Sequence, residues 1–138
     1  MSAPTLPADQ QPGGADAARF LSQATFGPVA ASEVATVRMV GFDAWLNHQF
    51  ELTAPSHLAY LEEQSPRGPD GRPTEEMSYE AIWQQWLYSE AQLRARVAFA
   101  LSEIFVISNI APDLDPRAMS SYVDMLNRDA FGNYRTLL

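Results

Sequence analysis

The chain has 138 residues, of which 46% are hydrophobic and 19% are charged, so it can bury one core and is too apolar for a disordered polypeptide. Its apolar runs are too interrupted for a membrane span. The net charge is −8, every basic residue is an arginine and cysteine is absent. These features argue against a nucleic-acid partner, and they exclude disulfides, thiolate nucleophiles and sulfur-ligated zinc.

Residues 1–15 are predicted to form a flexible arm, because prolines and glycines are frequent there. The arm lacks the apolar segment of a secretory signal. Residues 16–138 are predicted to form a single helical domain.

Helical periodicity predicts three short helices in the first part of this domain. They start from short polar residues that are suited to N-caps: Asp16, Ser32 and Asp43. They end at residues that break helices: Gly27, Gly41 and Pro55.

A fourth short helix is predicted over Ser56–Gln64, followed by an exposed loop over Ser65–Thr74. Ser78 then caps a helix that carries Trp83 and Trp86. Aromatic residues three apart on an apolar helix face usually belong to the core, so core packing is favoured over a stacking platform for a sugar.

The most apolar segment is predicted to be a long helix from Glu90 to about Ser108. Its part 97–107 is apolar almost all round, which is typical of a helix with neighbours on several sides. The β-branched residues Ile104, Val106 and Ile107 leave a lone buried strand as the weaker alternative. We predict a buried central helix.

Glu103 lies within that apolar run, and an unpaired carboxylate buried there would cost several kcal/mol. The sequence therefore predicts an ion pair. Arg96 lies two turns earlier on the same face, and arginines 19, 128 and 135 are further candidates. A catalytic acid with a raised pKa is the alternative.

The last complete helix is predicted over about Pro116–Ala130, with the proline in the first turn after Asp115. A new helical pattern then starts at Asn133 and continues to Leu138. The overall expectation is an all-α fold, an irregular multi-helix bundle around the buried central helix.

Four stretches of this sequence resemble the bacterial family called domain of unknown function 1800. They are AARFLSQATFGP at 17–28, GFDAWL at 41–46, RARVAFALSEIF at 94–105 and NRDAFGNYR at 127–135. The resemblance implies a mostly helical fold, of which this chain is the N-terminal part, and an often exported location. It brings no catalytic residues.

The two histidines are the first candidates for chemistry. His48 and Glu51 lie three apart on one helix face, a spacing that can hold a metal, but two ligands are too few. A surface hydrogen-bonding role for His48 is favoured. His48 and His57 also remain candidate bases for a loop serine such as Ser56, although no Gly-x-Ser-x-Gly is present.

Carboxylates supply the other candidate metal ligands. Asp113, Asp115, Asp70 and Glu51 would suit calcium or another divalent cation. No segment has the spacing of a calcium-binding loop, and aspartates beside proline and glycine usually shape turns or cap helices.

Two functions follow from these observations. The leading prediction is a helical scaffold or interaction module, which binds itself or a protein partner through exposed apolar faces. The alternative is a hydrolase of an ester or lactone that uses Glu103, a histidine or the carboxylates, with or without a divalent cation.

Overall fold

The computed structural model describes residues 5–27, 30–108 and 115–137. Within these ranges the chain forms eight α-helices and no strand, which confirms the predicted all-α fold. The helices are α1 (Gly14–Ala24), α2 (Ala31–Val40), α3 (Phe42–Glu51), α4 (His57–Gln64), α5 (Glu75–Tyr88), α6 (Gln92–Ser102), α7 (Pro116–Asp129) and α8 (Tyr134–Leu137). Short 3-10 turns occupy Ala8–Gln10, Ser65–Arg67 and Pro69–Gly71.

Helices α1, α2 and α3 pack around one hydrophobic core. Its buried members are Ala17, Leu21, Ala24, Val37 and Trp45. The predicted stop at Gly41 is confirmed, and its φ of 85° is one that a side chain disfavours. A Cβ at this position would also lie 2.8 Å from the side chain of Leu6.

Helices α4, α5 and α7 form a second packed group, with Leu61, Ala81 and Leu126 buried between them. Two sequence-predicted helix starts are confirmed here. Ser56 caps α4, because its Oγ accepts a hydrogen bond from the Ala59 N–H at 3.1 Å. Asp115 caps α7, ahead of Pro116 in the first turn.

Helix α6 joins the two groups, since it packs against α1, α3, α5 and α7. Its buried residues are small ones, including Ala95 and Ala98. Small side chains let neighbouring backbones approach closely, so α6 can lie at the centre in close contact with the helices around it.

The sequence predicts that this helix extends to about Ser108, but α6 ends at Ser102. The Ile104 and Phe105 N–H groups both donate to the Leu101 carbonyl, which tightens the last turn. The β-branched residues that follow are poor helix formers. The burial predicted for 97–107 is wrong, because Ile104 is 71% exposed and Val106 is 74% exposed.

Four of the predicted N-caps are wrong. Asp16, Ser32, Asp43 and Ser78 all lie inside a helix, because α1, α2, α3 and α5 begin one to three residues earlier. The aspartates still lie in the first turns of α1 and α3, where a negative charge interacts favourably with the helix dipole. Ser78 is buried, and its Oγ donates to the Pro116 carbonyl at 3.4 Å.

The sequence predicts irregular structure for two further segments. The stretch 65–74 is mostly exposed, and Arg67 in it pairs with Glu80 at 2.6 Å. In the arm, the Leu6 N–H donates to the Met39 carbonyl at 2.6 Å, and the flexibility of residues 1–15 stays a prediction. In the described ranges no helix has both the length and the hydrophobicity that crossing a membrane requires.

Candidate functional site

An apolar groove lies between α5, α6 and α7, beside the segment that follows α6. Its volume is about 340 Å³. Most of the side chains that line it are aliphatic or aromatic, among them Ile82, Phe99, Val106, Ile107, Met119 and Val123. An apolar concave surface of this kind is typical of a binding site.

Aromatic rings gather at the edge of this groove. Trp86 stacks on Phe26 with ring centres 4.5 Å apart, and it meets Trp83 and Phe99 edge to face at 5.3 Å. Trp83 is 56% exposed, so its predicted place in the core is wrong. The reason is that α5 packs on its neighbours through Met77, Ser78, Ala81 and Gln85, which leaves the Trp83 face uncovered.

The polar end of the groove is held by specific hydrogen bonds. Asn127 Nδ2 donates to Gln85 Oε1 at 3.1 Å, and Asn127 Oδ1 is buried without a partner in the described part of the chain. The Tyr122 hydroxyl donates to the Phe105 carbonyl, which ties the segment after α6 to α7. Burial raises the pKa of the Tyr122 hydroxyl.

Glu103 is the one charged side chain among the described residues that line the groove. It is exposed just past the end of α6, so its predicted burial is wrong. The predicted partner Arg96 instead lies over the Phe26 ring, 5.1 Å from the ring centre. The helix ends too early for Glu103 to reach the core.

We therefore expect Glu103→Ala to shift the melting temperature by no more than about 2 °C, as an exposed substitution does. Thermal unfolding followed by circular dichroism measures this shift. A loss of stability as large as that of a broken buried ion pair would contradict the exposed position of Glu103.

A second cleft, of about 460 Å³, lies on the other side of Trp86, between α1, α2 and α3 and the connection from α5 to α6. His48 is exposed, as predicted, and lines this cleft together with Glu33 and Glu90. Trp86 lines both the groove and the cleft. The two recesses are therefore neighbours that share one wall.

His57 is buried at the start of α4 against Asp124 of α7. Its Nδ1 donates to Asp124 Oδ1 at 3.1 Å, and its backbone N–H donates to the same oxygen at 2.7 Å. Asp124 Oδ2 accepts from the Ser56 hydroxyl at 2.6 Å and from the Leu58 N–H at 3.2 Å. One carboxylate thus accepts hydrogen bonds from N–H groups in the first turn of α4, which have no partner within the helix.

Burial opposes ionisation of Asp124, but the hydrogen bonds from His57, Ser56 and the two backbone N–H groups outweigh it and hold its pKa below the ordinary value. Ser56 and His57 both bind Asp124, and no hydrogen bond between the two is found among the described residues. This is not the nucleophile–base contact that a serine hydrolase needs.

Comparison with known proteins gives a family. The sequence model of the family described as "Protein of unknown function (DUF1800)" matches residues 19–138. The chain belongs to the DUF1800 family. No curated protein and no solved structure matches it.

Two of the stretches that resemble the DUF1800 family meet at Arg94. Its guanidinium donates to the carbonyls of Phe50 and Leu52, at the end of α3, at 3.3 and 2.9 Å. It also donates to the carbonyls of Asn127 and Arg128, near the end of α7, at 2.9 and 3.4 Å. The same guanidinium lies 4.5 Å from the centre of the Phe131 ring.

The predicted catalytic and metal-binding residues of this DUF1800 chain lie apart from one another. Glu103 is at the groove, His48 at the cleft and His57 between α4 and α7. Among the metal candidates, Glu51 ends α3, Asp70 lies in the 65–74 stretch and Asp115 caps α7, whereas Asp113 falls outside the described residues.

In the three described ranges, no group of three or more histidine, aspartate or glutamate residues is placed to hold a metal ion. The calcium site and the hydrolase therefore stay predictions. Two structurally central residues, Asp124 and Arg94, were not predicted to have a role. Arg94 did stand in a stretch that resembles the family, whereas Asp124 shows no sequence signal beyond a carboxylate within an amphipathic helix.

Proposed function

We propose that this chain is a helical interaction module whose groove between α5, α6 and α7 binds an amphipathic helix with basic flanking residues. The observation that carries the proposal is the exposure of large apolar side chains in and beside the groove, above all Trp83, Ile104 and Val106. Contact of these side chains with water is unfavourable, so a partner that covers them gains free energy.

A helix is the occupant that the helical walls of this groove favour. The walls are formed by α5, α6 and α7, and side chains of a further helix pack between the ridges that such walls present. An amphipathic helix laid into a groove between helices is also a recurrent mode of peptide recognition.

Charge favours a basic partner over a second copy of the chain. The net charge is −8, so two copies repel each other, whereas a basic helix is attracted. Glu103 at the groove carries a negative charge with no ion pair among the described residues. It is therefore free to pair with an arginine that flanks the apolar face of the partner.

The test uses a dye-labelled synthetic helix with leucine along one face and arginine on its flanks. The same peptide with glutamate in place of arginine is the matched ligand. We expect fluorescence anisotropy to show at least tenfold tighter binding of the arginine peptide, which is a difference of about 1.4 kcal/mol in binding free energy. Equal binding of the two peptides would contradict a basic partner.

Substitutions then locate the binding surface. We expect Val106→Asp to weaken binding at least tenfold, because it places a charge in the apolar groove. Met39→Asp is the matched control, since Met39 is an exposed apolar residue on α2 and does not line the groove. Equal effects of the two substitutions would exclude the groove as the peptide-binding surface. A dimer of the chain that Val106→Asp dissociates would show instead that the groove binds a second copy.

A further inference from the structure

We propose that the second cleft binds a small organic cation, with an ammonium group carried on an apolar body. The cleft lies where α1, α3 and α5 end and where α2 and α6 begin. Its volume of about 460 Å³ falls in the range of small-molecule sites. The inference is independent of the helix-binding groove.

The side-chain charges of the cleft favour a cation. Glu33 and Glu90 line it, and His48 is the one basic side chain among the described residues that do. Three helix C-termini and two N-termini meet here, so their opposite partial charges largely cancel. The two carboxylates then set a negative potential that attracts a positively charged ligand.

The walls of the cleft offer apolar and aromatic surface. Trp45, Leu52 and Trp86 line it, and Tyr88 stands at its rim with 74% of its surface exposed. One face of Trp86 is covered by Phe26, whereas Tyr88 makes no ring contact with the described part of the chain. The Tyr88 ring is therefore available for a cation–π contact with the ammonium group.

Two glutamines hold these walls in place. Gln49 Nε2 donates to the Glu90 carbonyl at 3.0 Å, while Gln49 Oε1 accepts from the Leu93 N–H at 3.1 Å. Gln92 bonds the end of α5 in the same way, through the Trp86 and Ser89 carbonyls at 3.0 and 2.8 Å, and its Oε1 accepts from the Phe26 N–H at 3.1 Å.

Both amides thus donate and accept hydrogen bonds, and they join α1 and α3 to the α5–α6 connection. A cleft whose walls are fixed before binding loses little conformational entropy when a ligand enters. The combination of fixed apolar walls with two carboxylates at the same opening matches a compact cation with alkyl groups.

The test is titration calorimetry with choline and with its neutral carbon analogue, in which a tert-butyl group replaces the trimethylammonium group. The two probes have the same shape and differ in charge. We expect choline to bind at least tenfold more tightly, and added salt to weaken its binding. Equal binding of both probes, or no binding of choline, overturns the proposal.

Variants assign the binding to this cleft. Glu33→Gln combined with Glu90→Gln is expected to weaken choline binding at least tenfold, and Tyr88→Leu to weaken it several-fold. Glu63→Gln combined with Asp70→Asn removes the same charge from exposed positions outside the cleft and serves as the control. Circular dichroism checks that every variant is folded.

Equal losses in the cleft variant and in the control overturn the proposal, since they report net charge alone. Tighter binding of a blocked arginine amide than of choline overturns the small-molecule assignment and gives the cleft to a basic side chain of a peptide. None of the substituted residues lines the groove, so either outcome leaves the helix-binding test unaffected.

Discussion

Replacement of Arg94 by methionine is expected to lower the free energy of unfolding by about 3 kcal/mol. The guanidinium donates to backbone carbonyls at the ends of two helices, α3 and α7. A hydrogen bond to a charged group contributes about 1.5–3 kcal/mol, and the part-buried carbonyls of Leu52 and Asn127 add a desolvation cost when they lose their donor. Methionine keeps an apolar stem, so the loss isolates the charged head group.

Position strengthens this interaction beyond the individual hydrogen bonds. The last carbonyls of a helix carry partial negative charge, and a cation placed there is favourable. Burial lowers the pKa of Arg94, yet an arginine stays protonated at neutral pH. One cation therefore neutralises two helix ends that belong to different packed groups of the fold.

Thermal unfolding followed by circular dichroism measures the effect, and a loss of this size corresponds to a melting temperature lower by roughly 10 °C. Arg94→Lys is expected to recover only part of the stability, because an ammonium group lacks the planar fork that reaches both helix ends. Arg96→Met is the matched control on the same helix, since Arg96 contacts the Phe26 ring. Equal losses of stability for Arg94→Met and Arg96→Met would contradict the stabilising role of the hydrogen bonds from Arg94 to the ends of α3 and α7.

Local signals predicted much of this fold. The helix starts at Ser56 and Pro116 and the stop at Gly41 are confirmed, because each depends on the residue itself and its nearest neighbours. The end of α6 was misplaced for a different reason. An apolar run shows that a segment avoids water, but it does not show which of its faces other helices cover.

Ile104 and Val106 illustrate this limit, because their hydrophobicity predicted a core position and they are exposed. The candidate sites depend on contacts that are still more distant in sequence. The acceptors of Arg94 lie 33 to 44 residues away, and Asp124 lies 68 residues from Ser56. No periodicity or spacing within one element carries such information.

Asp124→Asn is expected to lower the free energy of unfolding at neutral pH by about 2 kcal/mol. Asp124 accepts four hydrogen bonds, from Ser56, from the backbone and the ring of His57, and from the backbone of Leu58. Asparagine has the same shape but offers one acceptor oxygen, and its amino group meets donors. Loss of a helix cap costs about 0.5–2 kcal/mol, and an unpaired buried donor costs about 1–3 kcal/mol.

The pH dependence of this loss separates the carboxylate from a mere change of packing. Because the pKa of Asp124 is lower in the folded chain than in the unfolded chain, its stabilisation is fully present above the unfolded value of about 3.9. It disappears as the pH falls through the folded pKa. The melting temperatures of the wild type and of Asp124→Asn should therefore differ at pH 7 and begin to converge as the pH falls below about 4.

Asp70→Asn makes the same chemical change at an exposed position whose left-handed backbone asparagine tolerates. It is expected to leave the melting temperature at pH 7 nearly unchanged. If the gap between the wild type and Asp124→Asn instead stays constant from pH 7 to pH 3, the ionised carboxylate does not stabilise the start of α4. A gap that closes shows that the charge of Asp124 holds α4 against α7.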